Sequence, residues 1–265
     1  MVDDRAQTAA GAARIVWRGK PQTVEFAWVG AADSSLPPVV FLHEGLGSVA
    51  MWKDFPDRFC TEIGHPGFVF SRPGYGRSTA RHRDEHWAPD FMHRQAEEVL
   101  PALLAAVGIG RPWLFGHSDG ASIALLHAAK HPVAGVIAVA PHLFVEDESI
   151  ASIEKARDAY RDTDLRERLS RYHDDADSAF LGWNDAWLSP AFRSWNIERD
   201  IESIAAPVLA VQGENDEYGT LEQIRAVARR VPGTRLVSLA DCGHSPHRDQ
   251  PEALIREAGD FIAGN

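Results

Sequence analysis

The sequence predicts an α/β protein: a mainly parallel sheet with helices on both faces. Three observations predict it. Short apolar runs alternate with segments of helical period along most of the chain. A Gly-x-Ser-x-Gly pentapeptide, Gly116-His117-Ser118-Asp119-Gly120, stands between one such run and one such helical segment. Two later runs each end in a polar cluster, the first acidic and the second carrying histidine.

The elements follow in order. The stretch 1–14 is alanine-rich with few anchors and is expected to fray. Residues 23–29 alternate as a strand does and suit an antiparallel leading edge. Val39-Val40-Phe41-Leu42, Phe68-Val69-Phe70, Trp113-Leu114-Phe115 and Val136-Ile137-Ala138-Val139 read as strands. Continuous apolar runs of this length fit strands covered on both faces. Segments 95–107, 122–130, 221–231 and 251–263 carry helical period and supply the flanking layers.

With 265 residues, 45% of them hydrophobic, the chain can bury a full core as one domain or as a core plus a small insert. Its net charge of −11 disfavours nucleic acid and anionic membranes as partners, since both need basic stripes. The same charge gives no general attraction for a polyanionic substrate such as a coenzyme A thioester. No apolar run approaches the ~20 residues of a membrane span. The acidic start Met1-Val2-Asp3-Asp4-Arg5 lacks the apolar region of a secretory signal. Cys60 and Cys242 stand far apart without metal-ligand spacing, so free thiols in a reducing, cytoplasmic setting are expected.

The pentapeptide carries the chemistry. A strand that turns sharply into a helix strains the middle residue and pushes its hydroxyl out of the sheet. Flanking glycines avoid collision with the neighbouring strand and helix. Val208-Leu209-Ala210-Val211 then runs into a segment holding Glu214, Asp216 and Glu217. Arg235–Leu239 leads into Ala240-Asp241-Cys242-Gly243-His244, with His247 beyond. The order Ser118, Asp216, His244 is expected when nucleophile, orienting acid and base share the carboxyl edge of one parallel sheet. A serine hydroxyl needs an imidazole to take its proton, and the imidazole needs a carboxylate to fix its tautomer. Glu214 and Glu217 are rivals to Asp216, and His247 is a rival to His244. Asp216 is preferred for its place between strand and helix, and His244 because it follows a glycine directly after a strand.

At this point the chain resembles an α/β-hydrolase-fold protein over nearly its whole length. Val39 to Ser48, with Trp52 beyond, is similar to that family's strand and H-G-x oxyanion loop, and Ser71-Arg72-Pro73-Gly74-Tyr75-Gly76-Arg77-Ser78 to its D-x-x-G-x-G-x-S turn. The Gly-His-Ser-Asp-Gly form resembles the valacyclovir-hydrolase-like branch of esterases. The resemblance implies that the backbone N–H of Asp119 and one from the His43 loop bind an oxyanion. Glu44 stands where glycine normally follows the histidine, so the second donor is Gly45 or Leu46. Two readings of Glu44 stand together: a carboxylate at the pocket rim, or a hydrogen-bonded loop residue. His43 is expected to brace the loop. Ser71 replaces the usual aspartate of the second turn.

The family places a helical cap after the sixth strand. This divides the chain into a first core part, 1–140, a cap, 141–206, and a second core part, 207–265. Within the cap, 149–160, 165–173, 178–187 and 190–195 have helical period. Trp183 and Trp187, four apart, share one helix face. They either line the substrate pocket or hold the cap to the core, as does Trp195. Arg157, Arg161, Arg168 and Arg171 suit a solvated, salt-bridged face, with a carboxylate clamp as the sharper alternative. His82 and His86 superficially suit a metal, but their charged surroundings read as a solvated loop. His244, His247 and Asp249 suit a metal only if the serine reading fails. Cys242 reads as a buried structural thiol.

The expectation is a serine hydrolase that uses no cofactor or metal and cleaves a small to medium carboxylic ester through an acyl-enzyme on Ser118. Its partner is a small molecule, neither nucleic acid nor membrane, and a tryptophan-bearing cap would suit a homodimer. Carbon–carbon, lactone and thioester hydrolysis compete within the fold. Ring-cleavage hydrolases often carry Trp after the catalytic histidine, where this chain has Ser245. A non-catalytic ligand-binding protein is the alternative of another class, and labelling by a fluorophosphonate probe separates it from an enzyme.

Overall fold

The computed structural model describes residues 9–30 and 35–265. Eight strands form one sheet in the order β1-β2-β4-β3-β5-β6-β7-β8. They are β1 (Ala9–Trp17), β2 (Lys20–Gly30), β3 (Val39–Leu42), β4 (Pro66–Phe70), β5 (Trp113–His117), β6 (Gly135–Val139), β7 (Val208–Gly213) and β8 (Arg235–Leu239). β2 pairs antiparallel with β1 and β4, and every later pairing is parallel. The strand at 23–29 thus lies in an antiparallel edge, as its alternation suggests.

The start of the chain departs from expectation. Residues 1–8 lie outside the described residues, but 9–14 do not fray: they form the first part of β1. Each pairs with a residue of β2, and Ala13 and Ile15 are buried. Cross-strand pairing supplies the anchor that composition alone does not show.

Strands β3 to β7 are buried at every residue, which explains their unbroken apolar runs. Their side chains alternate between two cores. Val40, Leu42, Phe68, Leu114, Val136, Ala138 and Ala210 face one layer, and Val39, Phe41, Val69, Phe115, Ile137, Val139 and Val211 the other. The second layer is covered by α1 (Phe55–Ile63) and the last helix, Pro251–Ala263. The first is covered by α2 (Phe91–Arg94), α3 (Leu100–Ala106) and α4 (Asp119–Ala128).

The helix expected over 95–107 starts earlier, at Phe91, and is interrupted by a π-turn at Gln95–Val99. Pro101 lacks an N–H and its ring crowds the carbonyl one turn back, so the wide turn accommodates it. The helix expected from 122 begins at Asp119, directly after Ser118.

Between β6 and β7 lie α5 (Asp147–Asp162), α6 (Leu165–Leu169), α7 (Ala176–Trp187) and a 3-10 turn at Pro190–Ser194. Asp175 caps α7 by accepting the Ser178 N–H at 2.9 Å. Phe144 pairs with Asn196 in an antiparallel bridge, and the Ile197 N–H donates to the Leu143 carbonyl at 2.7 Å. This excursion therefore leaves and rejoins the sheet at one neck. After β7 come α8 (Glu222–Arg230), then β8, α9 (Pro246–Asp249) and α10 (Pro251–Ala263). Among the described residues no helix is long and apolar enough to cross a membrane.

Candidate active site

Ser118 follows β5 at the middle of the sheet, with φ +54° and ψ −123°. Such a conformation is costly for a residue with a Cβ and persists only where its surroundings impose it. Here the Ser118 N–H donates to Val139 of β6 at 2.9 Å, and α4 starts at the next residue. The two motif glycines permit the close approach. A Cβ on Gly116 would lie 2.6 Å from the Ala121 nitrogen, and one on Gly120 would lie 2.6 Å from the His43 carbonyl.

The loops after β7 and β8 bring the later residues to the same place. His244 Nδ1 donates to Asp216 Oδ1 at 2.8 Å, which puts the proton on Nδ1 and the lone pair on Nε2. Asp216 also accepts the Tyr218 N–H at 2.8 Å and the Gln212 amide at 3.0 Å. Burial pushes the Asp216 carboxyl up, but the His244 hydrogen bond and charge outweigh it and hold the pKa below the usual range. The rivals take other partners. Glu217 accepts the backbone N–H of His244 at 3.1 Å, and Glu214 the Ser238 hydroxyl at 3.3 Å. His247 is buried against Trp52 and His117, at ring distances of 4.9 and 4.8 Å.

Ser118, His244, Glu44, Gly45, Leu46, Asp119, Trp183 and Trp187 all line one cavity of about 240 Å³. Ile153, Leu165, Leu169 and Met51 supply apolar wall. A larger open hollow of about 740 Å³ lies at the amino ends of β5 and β6, away from these groups.

The loop after β3 is braced from behind. The Arg72 N–H donates to His43 Nε2 at 3.0 Å, so His43 carries its proton on Nδ1 and donates it to the Glu44 carbonyl at 2.7 Å. Burial, reinforced by the Arg72 charge, holds the His43 imidazole well below its ordinary range. Arg72 Nη2 donates to the same carbonyl at 2.8 Å, and the Gly47 N–H closes the turn onto it. Among the described residues, this leaves the Gly45 and Leu46 amides without intrachain hydrogen bonds. The Asp119 amide, first in α4, has no partner within its helix either.

Glu44 is at once a loop anchor and a carboxylate at the cavity. Its carbonyl anchors the loop, and its carboxylate lines the cavity 3.7 Å from His117 Nδ1 and 3.8 Å from Arg248. Burial raises its pKa, but the neighbouring His117 imidazole holds it far below the usual carboxylate range. The carboxylate missing at position 71 comes from β2: Ser71 Oγ donates to Glu25 at 2.7 Å, and Glu25 also accepts the Arg77 N–H at 2.9 Å.

Trp187 Nε1 donates to Asp119 Oδ1 at 3.1 Å, tying α7 to the residue after Ser118. Burial pushes the Asp119 carboxyl up to about 6 against the Arg72 charge and this hydrogen bond. Trp183 lies against Gly45. Both tryptophans therefore line the cavity and pack on the core at once. Trp195 is buried against Phe192 and does not line the cavity. Arg157 and Arg161 pair with acids of their own helix and Arg168 with Asp164, the residue before α6, all at the surface, while Arg171 is exposed. The arginine at the cavity is Arg248, which no sequence signal singles out. His82 pairs with Asp84 at 3.6 Å on an exposed loop. Among the described residues no three His, Cys, Asp or Glu side chains gather around a metal-sized site. Cys242 is a buried free thiol, pushed up to about 11 by burial.

His142 is the residue the sequence reading missed. Its Nε2 stands 3.4 Å from Ser118 Oγ, and this is the hydrogen bond the hydroxyl makes. The ring lies 5.8 Å from that of His244.

The buried histidines give a pH signature. Burial pushes His142 to about 3, His127 to about 4 and His247 to about 2. Unfolded, each titrates near ~6.5, so below that pH the unfolded chain binds protons the folded chain refuses. Their contribution is full above ~6.5 and is lost as pH falls toward the folded values, by up to about 1.4 kcal/mol per histidine per unit. The thermal midpoint should drop steeply from about pH 6.5 to about pH 5, and a flat midpoint there would contradict this account.

Fold and site together define an enzyme of hydrolase type. The chain belongs to the Alpha/beta hydrolase family, whose model matches residues 39–257. It is 24% identical to an esterase of Mycobacterium tuberculosis over 96% of this chain and 94% of that one. It is 26% identical to a 2-succinyl-6-hydroxy-2,4-cyclohexadiene-1-carboxylate synthase of Enterobacter sp. (strain 638), over 84% and 91%. The enol-lactonase of Burkholderia xenovorans LB400 shares the fold, with a TM-score of 0.73 at 19% identity, covering 96% of this chain and all of that one.

Proposed function

We propose that this protein is a cofactor-independent serine hydrolase of small to medium carboxylic esters. The observation that carries the reading is the Asp216–His244 hydrogen bond, which leaves a basic Nε2 in the cavity of the strained Ser118. A small shift of the Ser118 side chain brings Oγ to His244 Nε2 while it stays beside His142, whose ring lies 5.8 Å from that of His244. Ser118 Oγ then attacks the ester carbonyl as His244 Nε2 takes its proton, and His244 passes that proton to the departing alcohol. The amide of Asp119 and that of Gly45 or Leu46 receive the oxyanion. Water, deprotonated by His244, releases the acid.

In this reading the segment 141–206 is a cap that sets selectivity. Its Ile153, Leu165, Leu169, Trp183 and Trp187 give the cavity apolar walls that suit a compact acyl group. Rapid mixing with a series of p-nitrophenyl esters tests the proposal. A burst of one nitrophenol per chain is expected, strongest for short acyl chains, with the acyl mass recovered on the peptide containing Ser118. Turnover with no covalent intermediate on that peptide would refute it.

A further inference from the structure

Ser118 faces two imidazoles, and the one it bonds is not the one held by Asp216. We propose that His142 is a catalytic hydrogen-bond donor to Ser118 Oγ, acting when the acyl group is released. This rests on the ester-hydrolase reading and deepens it.

The fold goes to some length to put this ring there. Ala140, at the end of β6, has φ +48°, a left-handed conformation that a residue with a Cβ adopts only under constraint. Two residues on, the backbone of His142 is clasped by Ser122, one turn beyond Ser118 on α4. Its N–H donates to Ser122 Oγ at 3.0 Å, and that hydroxyl donates to the His142 carbonyl at 2.6 Å. The ring is 3% exposed and packs edge-on against Trp187 at 4.9 Å. Its position is thus fixed relative to the nucleophile through the nucleophile's own helix.

Of the buried histidines nearby, His117 also leaves Nδ1 without a hydrogen-bond partner but gives its Nε2 to the His244 carbonyl at 2.7 Å, while His43 and His173 use both ring nitrogens on structure. His43 joins Arg72 to Glu44, and His173 accepts the Gly76 N–H and donates to the Leu46 carbonyl. His142 differs: its ring's polar contact is Ser118 Oγ, and its Nδ1 has no partner. Because Ser118 gives its own proton to His244, the His142 contact must be donated by Nε2–H. That tautomer leaves a lone pair on the unpartnered Nδ1, cheaper to bury than an orphaned N–H. Burial keeps the ring neutral, so it donates a hydrogen bond without competing with His244 for protons.

The two halves of the reaction feel this donor unequally. In acylation, Oγ loses its proton to His244 and forms the C–O bond, and a donor on Oγ makes it a weaker nucleophile. In deacylation, water gives a proton to His244 and attacks the carbonyl. The C–Oγ bond then breaks, its electron pair goes to Oγ, and Oγ regains the proton from His244. His142 keeps its own proton throughout, and its N–H offsets the charge growing on the departing Oγ.

The test compares His142→Phe, which keeps a ring against Trp187 but has no donor, with His142→Gln, which restores an N–H. Both are assayed with p-nitrophenyl butyrate by stopped flow. A preorganised donor is commonly worth about 10²–10³ in rate, and a 3.4 Å contact places this one nearer about 10–100. For His142→Phe, kcat should fall by that factor with KM falling in parallel, leaving kcat/KM within about 3-fold and a full burst. His142→Gln should recover most of kcat. Unchanged kcat in His142→Phe overturns the proposal, as does a parallel loss of kcat/KM with no burst, the pattern of disturbed packing. Fluorophosphonate titration counts competent sites in each variant, and misfolding of His142→Phe leaves His142→Gln to decide by whether its kcat stays near wild type. A burst that survives in Ser118→Ala would instead overturn the ester-hydrolase reading, and this proposal with it.

Discussion

Ser118→Ala is expected to lower kcat toward an activated ester by about 10⁶-fold, and His244→Ala by a comparable factor. The two side chains act as one device. Without Oγ the imidazole has nothing to deprotonate, and without the imidazole the hydroxyl stays a weak nucleophile. The double variant should therefore be no slower than either single one. What survives comes from the cavity and the amides at Asp119 and the His43 loop, which neither change touches. Steady-state rates of the three variants, each scored for fold by circular dichroism, decide the matter. Losses that multiply in the double variant would show that the two residues work separately, against the proposed mechanism.

Asp216→Asn is expected to cost about 10⁴ in kcat with little change in fold. The carboxylate accepts three hydrogen bonds, from His244, Tyr218 and Gln212. Asparagine has one acceptor oxygen, so its NH₂ group must face a donor or turn toward His244 Nδ1. In the second case the His244 proton moves to Nε2, and the nitrogen that should take the serine proton is already protonated. The same substitution carries a stability signature. The Asp216 pKa is depressed in the folded state, so its contribution is present above the unfolded value of ~3.9 and is lost as pH falls through the folded one. The variant should therefore show a shallower loss of stability below about pH 4 than the parent. Full activity in Asp216→Asn would remove the residue from the proposed mechanism.

Much of the framework is legible in the sequence because it is written in local patterns. Runs such as Val208-Leu209-Ala210-Val211 are apolar throughout because both faces of the inner strands are covered. The Ser118 elbow announces itself by two glycines that sit against Ala121 and His43, a constraint that no larger residue meets. Asp216 and His244 are findable because each ends a recognisable strand. What the sequence hides depends on which strands lie side by side. His142 reaches Ser118 because β6 lies next to β5, and nothing around Pro141-His142 differs from an ordinary loop. Glu25 stands in for the missing carboxylate of Ser71 only because β2 runs antiparallel beside β4. Arg248 meets Glu44 across 204 positions of chain through folding alone. The fate of residues 9–14 has the same origin, since alanines say little until a partner strand is beside them.

The bridge between Phe144 and Asn196 has a bearing on how such a chain diversifies. Since the ends of the excursion are already stapled together, its length enters the free energy only logarithmically, about 0.6 kcal/mol for each doubling. Helices there are open to being traded, trimmed or grafted from a distant cousin while the sheet rim beneath is left intact. A transplant need only respect two anchor points, which makes this neck the natural seam for recombination.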